Sequence, residues 1–210
     1  MSSKSFENTY WVSISLTQIL PTITEWISKN LFEKDLVDEK LFKNRVQNDP
    51  HISVLLGLPR APDEGLVKLI SNFLVDFKLD NLSVSFGKIN AFPLETKVVA
   101  GETGNEEYKY QVLHIEVVEN KSLLSFQEAI GNYYATPSAE GKGKICWHHP
   151  KYNPHITIAF VKEGVAEKFI NTSLFHNGDD EKVLVKEVVI KKFGDKSFTP
   201  LVVSFNTQNF

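Results

Sequence analysis

Hydrophobic and polar positions alternate along much of this chain, and the period changes from segment to segment. From Tyr10 to Leu16, Val12, Ile14 and Leu16 alternate with Ser13 and Ser15, the period-two pattern of a half-buried strand. Similar alternation over 82–92 (LSVSFGKINAF) and 110–118 (YQVLHIEVV), and apolar runs over 182–193 (KVLVKEVVIKKF) and 200–207 (PLVVSFNT), predict further strands. Elsewhere the period lengthens. Pro21 opens a stretch in which Ile23, Trp26, Ile27 and Leu31 recur at helical spacing. Residues 63–78 place Leu66, Leu69, Ile70, Phe73, Leu74 and Phe77 on one stripe, and Ser122 is placed to cap a helix through Tyr133. Shorter helices are expected within 33–49, with Leu36, Leu41 and Phe42 inward, and over 163–175. The polar stretch 100–109 reads as a hairpin connection, and residues 135–151 have no periodicity.

Within this pattern one hexapeptide occurs twice. Residues 49–54 read DPHISV and residues 153–158 read NPHITI. Each has proline before histidine, an apolar residue after it, a hydroxyl two places on, and then an apolar run predicted to be a strand. The order of elements is strand, helix, histidine strand, helix, strands, helix, histidine strand, helix, strands. No Pro/Gly/Ser-rich linker divides the chain. This predicts an α+β architecture, with 1–210 forming one unit of two similar lobes, each supplying one histidine strand.

Side chains at i and i+2 of a strand share a face. His51 and Ser53 therefore point together, as do His155 and Thr157, while Ile52, Val54, Ile156 and Ile158 point the other way. A single HxS is a common tripeptide; two, each after proline and each opening an apolar strand, are a far more specific pattern. Histidine titrates near neutral pH, so one ring can accept a proton while its partner donates one. Two small hydroxyls beside them can hydrogen-bond the non-bridging oxygens of a phosphodiester. That chemistry requires no metal or cofactor.

Three competing readings of the pair carry less weight. Packing alone gives no reason to duplicate both the histidine and the hydroxyl. A zinc site needs a third ligand from His114, His148, His149, His176 or a carboxylate, and none has HExxH-type spacing. A serine-nucleophile triad lacks its GxSxG elbow.

The bulk numbers narrow the partners. A formal net charge of −3 argues against a protein that coats duplex nucleic acid, but allows a small nucleotide or oligonucleotide in a locally basic cleft. Cys146 is the single cysteine, so neither an internal disulfide nor a cysteine-rich metal site is available. The first residues have no apolar h-region, and no apolar run approaches the roughly 18 residues of a membrane span. The expectation is a cytoplasmic monomer.

The two motifs resemble those of the two-histidine (2H) phosphoesterases, which include the RNA 2′,5′-ligase and cyclic phosphodiesterase group. That signature is a pair of HxS/T motifs, matched here by His51-Ile52-Ser53-Val54 and His155-Ile156-Thr157-Ile158. YWVSISL is similar to the family's first strand, VSFGKINAFP to its strand leading to phenylalanine and proline, and VLVKEVVIKKF to its late strand. The resemblance implies a bilobal fold with antiparallel-rich sheets, outer helices, a pseudo-twofold axis and a central cleft onto which His51, Ser53, His155 and Thr157 face. It implies a metal-independent phosphodiesterase acting on 2′,3′-cyclic phosphates, 2′,5′-linked or cyclic oligonucleotides. The alternatives are an inactive nucleotide-binding module and a 2′,5′ RNA ligase.

The segments 30–49 and 134–151 are long for the minimal family. The second leads into GKGKICWHHPKYNP, with Lys142, Lys144 and Lys151 but no acidic residue, and with Trp147 and Tyr152. Cations and rings together are the parts of an oligonucleotide groove. Lys144, Trp147, Lys151 and Tyr152 are therefore candidate substrate-binding residues, set against a plain solvated loop with Trp147 as a packing anchor. Of Tyr10 and Trp11, one is expected to pack inward and the other to edge the cleft; Tyr10 is the binding candidate.

Overall fold

The computed structural model describes residues 9–75, 82–100, 104–118, 121–135, 152–175, 182–193, 195 and 197–204. Among these residues, nine strands form two antiparallel sheets. Sheet A contains β1 (Tyr10–Ser15), β2 (His51–Leu58), β8 (Glu187–Lys192) and β9 (Leu201–Ser204), in the order β2-β1-β8-β9. Sheet B contains β3 (Ser83–Ala91), β4 (Glu95–Ala100), β5 (Asn105–Val118), β6 (His155–Lys162) and β7 (Lys182–Leu184). The long β5 pairs with β6 through residues 110–116, with β3 through 113–118 and with β4 through 105–110, and β7 extends the sheet beyond β3.

The two sheets repeat one arrangement. β2-β1-β8 corresponds to β6-β5-β3, so each histidine strand flanks the strand that carries its sheet, and β2 and β6 touch across the middle of the molecule. The apolar rows correspond as well. Ile52, Ile14 and Val188 are in register across sheet A, and Ile156, Ile115 and Ile89 across sheet B, all fully buried. These rows feed one continuous core. Over it lie the helices α2 (Glu64–Val75) and α3 (Lys121–Ala135), the latter reaching both β2 and β3 through buried Leu123, Phe126, Ile130 and Tyr134. A further helix, α1 (Leu20–Asn30), buries Ile23 and sets Trp26 edge-on to Phe169. Among the described residues no helix is long and apolar enough to cross a membrane.

Several elements differ from the pattern-based expectation. Residues 33–49 form a short 3-10 turn (Glu33–Asp35) and then an irregular strap with a turn at 39–41 and bridges to β6 at Leu36 and Val46, not a helix. The Val37 and Gln47 amides donate to the carbonyls of Phe160 and Ile158, and the Phe160 amide donates to the Arg45 carbonyl. This pairing satisfies backbone groups on both segments and covers an otherwise open edge of β6. Leu41 is buried and Phe42 stacks on Phe160, so both do point inward.

The helix expected over 163–175 is reduced to a 3-10 turn at Ala166–Lys168. Asn171 takes a left-handed φ of 69°, and the backbone of Asn171 and Thr172 is drawn into hydrogen bonds with Ile89. Residues 182–193 are two strands, not one. β7 belongs to sheet B and β8 to sheet A, and the chain changes sheet at Val185, whose amide is anchored on the Leu82 carbonyl. The hairpin loop is shorter than 100–109, because Asn105–Lys109 pairs with β4.

Candidate functional site

The local geometry of the two histidines is duplicated to the level of single hydrogen bonds. The carbonyl of Pro50 accepts from the Leu16 amide at 2.9 Å, and that of Pro154 accepts from the Val117 amide at 3.2 Å. Proline has no amide hydrogen of its own, so each enters its strand as an acceptor only. One residue earlier, the Asp49 carbonyl lies 2.6 Å from His51 Nδ1, and the Asn153 carbonyl 2.8 Å from His155 Nδ1. A carbonyl can only accept, so Nδ1 carries a proton in both rings and Nε2 is the nitrogen that takes up or releases one.

Register continues the match. His51 and Ser53 lie opposite Ser15 and Ser13 of β1; His155 and Thr157 lie opposite Glu116 and His114 of β5. Immediately past each hydroxyl residue the register slips by one. Leu55 opposes Val12 in sheet A, and Ala159 opposes Leu113 in sheet B, which leaves Val54 and Ile158 as the extra residues. These are β-bulges at equivalent positions. They turn two successive apolar residues inward (Val54 with Leu55, Ile158 with Ala159, all buried) while the HxS/T side chains stay half-buried on the opposite face.

An aromatic ring stands edge-on to each imidazole at the same distance. Trp11 lies 4.8 Å from His51 and Phe92 lies 4.8 Å from His155, centroid to centroid. Beyond these the halves diverge. On the His51 side, Lys191 of β8 reaches over the Trp11 ring, 5.5 Å from its centroid, and pairs with the Asp49 carboxylate at 2.6 Å. Burial holds the His51 imidazole below its ordinary pKa; the Asp49 hydrogen bond and carboxylate oppose this, and the Lys191 charge adds to it.

On the His155 side the residue opposite Thr157 is a third histidine. His114 is buried, stacks on Phe92 at 4.3 Å, and stands 5.4 Å from the His155 ring. Burial, together with repulsion from His155, pushes His114 down to about 4, so its ring is neutral at physiological pH. Next to it, Asn90 donates to the Glu116 carboxylate at 2.7 Å.

The polar content of this surface separates it from the rest of the interior. Among the described residues, Ser13, Ser15 and His114 are three of the few buried polar side chains, and all three lie directly opposite a motif residue. A cavity of about 1030 Å³ between the strap and β5/β6, lined by charged residues such as Glu33, Arg45, Lys109 and Lys162, includes neither histidine.

Of the residues expected to bind substrate, Lys144, Trp147 and Lys151 lie outside the described residues. Tyr10 is on the other face from the one expected. It packs against the core and meets Phe198 edge-on at 5.6 Å, because strand alternation puts its neighbour Trp11 on the Ser13 side. Tyr152 likewise packs against the core, and burial drives its hydroxyl pKa upward. Lys191, Phe92 and Asp49 join the site without having been expected there. Asp49 is part of the motif itself; Lys191 is legible only as one of several lysines in a strand. The sequence offers His114 solely as a metal ligand, and among the described residues no group of three metal-binding side chains forms.

No family model matches the chain, and no curated protein matches it. Among solved structures, TT0787 of Thermus thermophilus aligns over 94% of this chain and 95% of its own, with a TM-score of 0.45 and 14% identity. Usb1 of Kluyveromyces marxianus aligns over 95% of this chain and 99% of its own, with a TM-score of 0.40 and 14% identity.

Proposed function

We propose that this chain is a two-histidine phosphoesterase that cleaves phosphodiester bonds without a metal, with His51 and His155 as the acid–base pair. The observation that carries the reading is the duplicated hydrogen bond from each Nδ1–H to the carbonyl two residues before it. This fixes the same tautomer in both rings and reserves both Nε2 atoms for proton transfer. One Nε2, unprotonated, takes the proton of the attacking water or ribose hydroxyl. The other, protonated, gives its proton to the departing ester oxygen, and the pair ends with its roles exchanged. The hydroxyls of Ser53 and Thr157 donate to the non-bridging oxygens as negative charge builds on them. Ser13, Ser15 and the neutral His114 line the floor without adding charge.

The substrates that suit this arrangement are ribonucleotide 2′,3′-cyclic phosphates and short 2′,5′-linked or cyclic oligonucleotides. The test is incubation of the protein, with EDTA present, with a panel of 2′,3′-cyclic phosphates, 2′,5′-linked, 3′,5′-linked and cyclic oligonucleotides. Cleavage of one class, lost in His51→Ala and His155→Ala, is the expected outcome. Binding without product on the whole panel, products of increased length, or activity that depends on added divalent metal would each overturn it.

A further inference from the structure

We propose that Lys191 and Asp49 form a positioning pair for His51, an ion pair that pins the carbonyl holding the ring and sets the charge beside it. Its catalytic consequence rests on the two-histidine reading; the positioning itself does not. Asp49 acts on His51 twice. Its carbonyl accepts the hydrogen bond from Nδ1–H, and its carboxylate is held by Lys191 at 2.6 Å. Lys191 is in register with Trp11, and its ammonium group reaches over the indole that stands against His51. The imidazole is thus held by a hydrogen bond from one residue and an aromatic edge from another, and Lys191 touches both of those residues.

The pair's own contribution to stability is small. With side-chain exposures of 31% for Lys191 and 46% for Asp49, solvent screens it, and such pairs are worth little to the fold. Its placement is better explained by what it does to the ring. Asp49 and Lys191 are the two charged side chains that act on His51's titration, with opposite signs. The other ionisable groups on the elements packed around His51 are not among the charges that shift it. Glu187 of β8 is separated from β2 by Ser15 of β1, Glu116 and His114 are on β5, His155 is on the facing β6, and α3 packs on the apolar face of β2. In the other motif Asn153 occupies the place of Asp49 and carries no charge.

The test uses the full chain and follows the His51 imidazole by NMR titration beside the pH–rate profile. Lys191→Met keeps an unbranched stem over Trp11 and removes the charge. It should raise the His51 pKa, whereas Asp49→Asn should lower it. The double variant should return close to the parent, and Lys191→Arg should behave as the parent does. Per folded molecule, kcat should fall about tenfold in each charge-removing single variant with KM within about threefold, as expected when ring placement and not substrate binding is damaged. A shift of the same sign in both single variants, or no shift in either, overturns the proposal even if the melting temperature drops. If the parent cleaves no phosphodiester, the functional reading fails, while the opposed NMR shifts still decide the positioning pair.

Discussion

Behind His51 stand two serines and a lysine–aspartate pair; behind His155 stand a glutamate and a neutral histidine. The two strands share one burial pattern over their first seven residues, the same bulge after the hydroxyl, and the same carbonyl on Nδ1. What is duplicated is what the backbone determines: strand phase, bulge position and ring tautomer. What differs is carried by side chains on the neighbouring strands. In the proposed reaction, matched placement would present both rings to one phosphate, and unmatched surroundings would let their protonation states differ.

The comparison breaks most visibly at the histidines. His51→Ala and His155→Ala should each abolish turnover, and the double variant should be little worse than either, because groups acting as one unit lose their effect together. Single-turnover rates of the three proteins check this. Next come the hydroxyls. Ser53→Ala and Thr157→Ala should each slow catalysis by about 10²–10³-fold, some 2.7–4 kcal/mol of barrier, if each supplies one donor to the developing charge. Unequal losses would show which half holds the charge.

A smaller effect concerns acidity. The pH profile of kcat/KM should be bell-shaped and indifferent to EDTA, with its two apparent pKa values belonging to the pair. The smallest effect is on stability and tests the His155 side alone. His114 has a folded pKa of about 4, below its ordinary 6.5. The stability gained from keeping it neutral is therefore complete above about 6.5 and is lost as pH falls toward 4. Replacing it by phenylalanine removes that dependence. Melting curves at about pH 7 and about pH 4.5 should show the parent losing more on acidification than His114→Phe, by a few degrees on a scale of about 2–4 °C per kcal/mol.

Much of this site is legible in the residue order. The duplicated proline, histidine and hydroxyl pattern marks both strands, and strand alternation puts His51 with Ser53 and His155 with Thr157. The bulges are foreshadowed by adjacent apolar residues, Val54-Leu55 and Ile158-Ala159, which break strict alternation; only pairing distinguishes this from a strand buried on both faces. Partners from distant strands are not legible. Nothing local to Lys191 indicates that it reaches Asp49, and nothing local to His114 indicates that it faces Thr157. Aromatic character alone does not decide between Tyr10 and Trp11 as the cleft residue; the buried Val12 and Ile14 do, by fixing the strand's phase. The helices expected at 33–49 and 163–175 are absent for a related reason. Their backbones find partners on β6 and β3, and tertiary pairing outweighs a weak local preference.

Sheet A sets β1 between β2 and β8, and the Ser13 hydroxyl donates to the Val189 carbonyl across a separation of 176 residues. A ribosome delivers these strands in order. β1 and β2 emerge together and can pair at once, but the far edge of β1 stays open until β8 has been made. Until then the half-built sheet carries a row of unpaired amides and carbonyls beside Ile14, a site for mispairing with other chains. Closing so long a loop is entropically costly and slow. Lys191 also lies on β8, so His51 acquires its charged neighbour only when β8 docks, and the histidine strand that forms early is completed late.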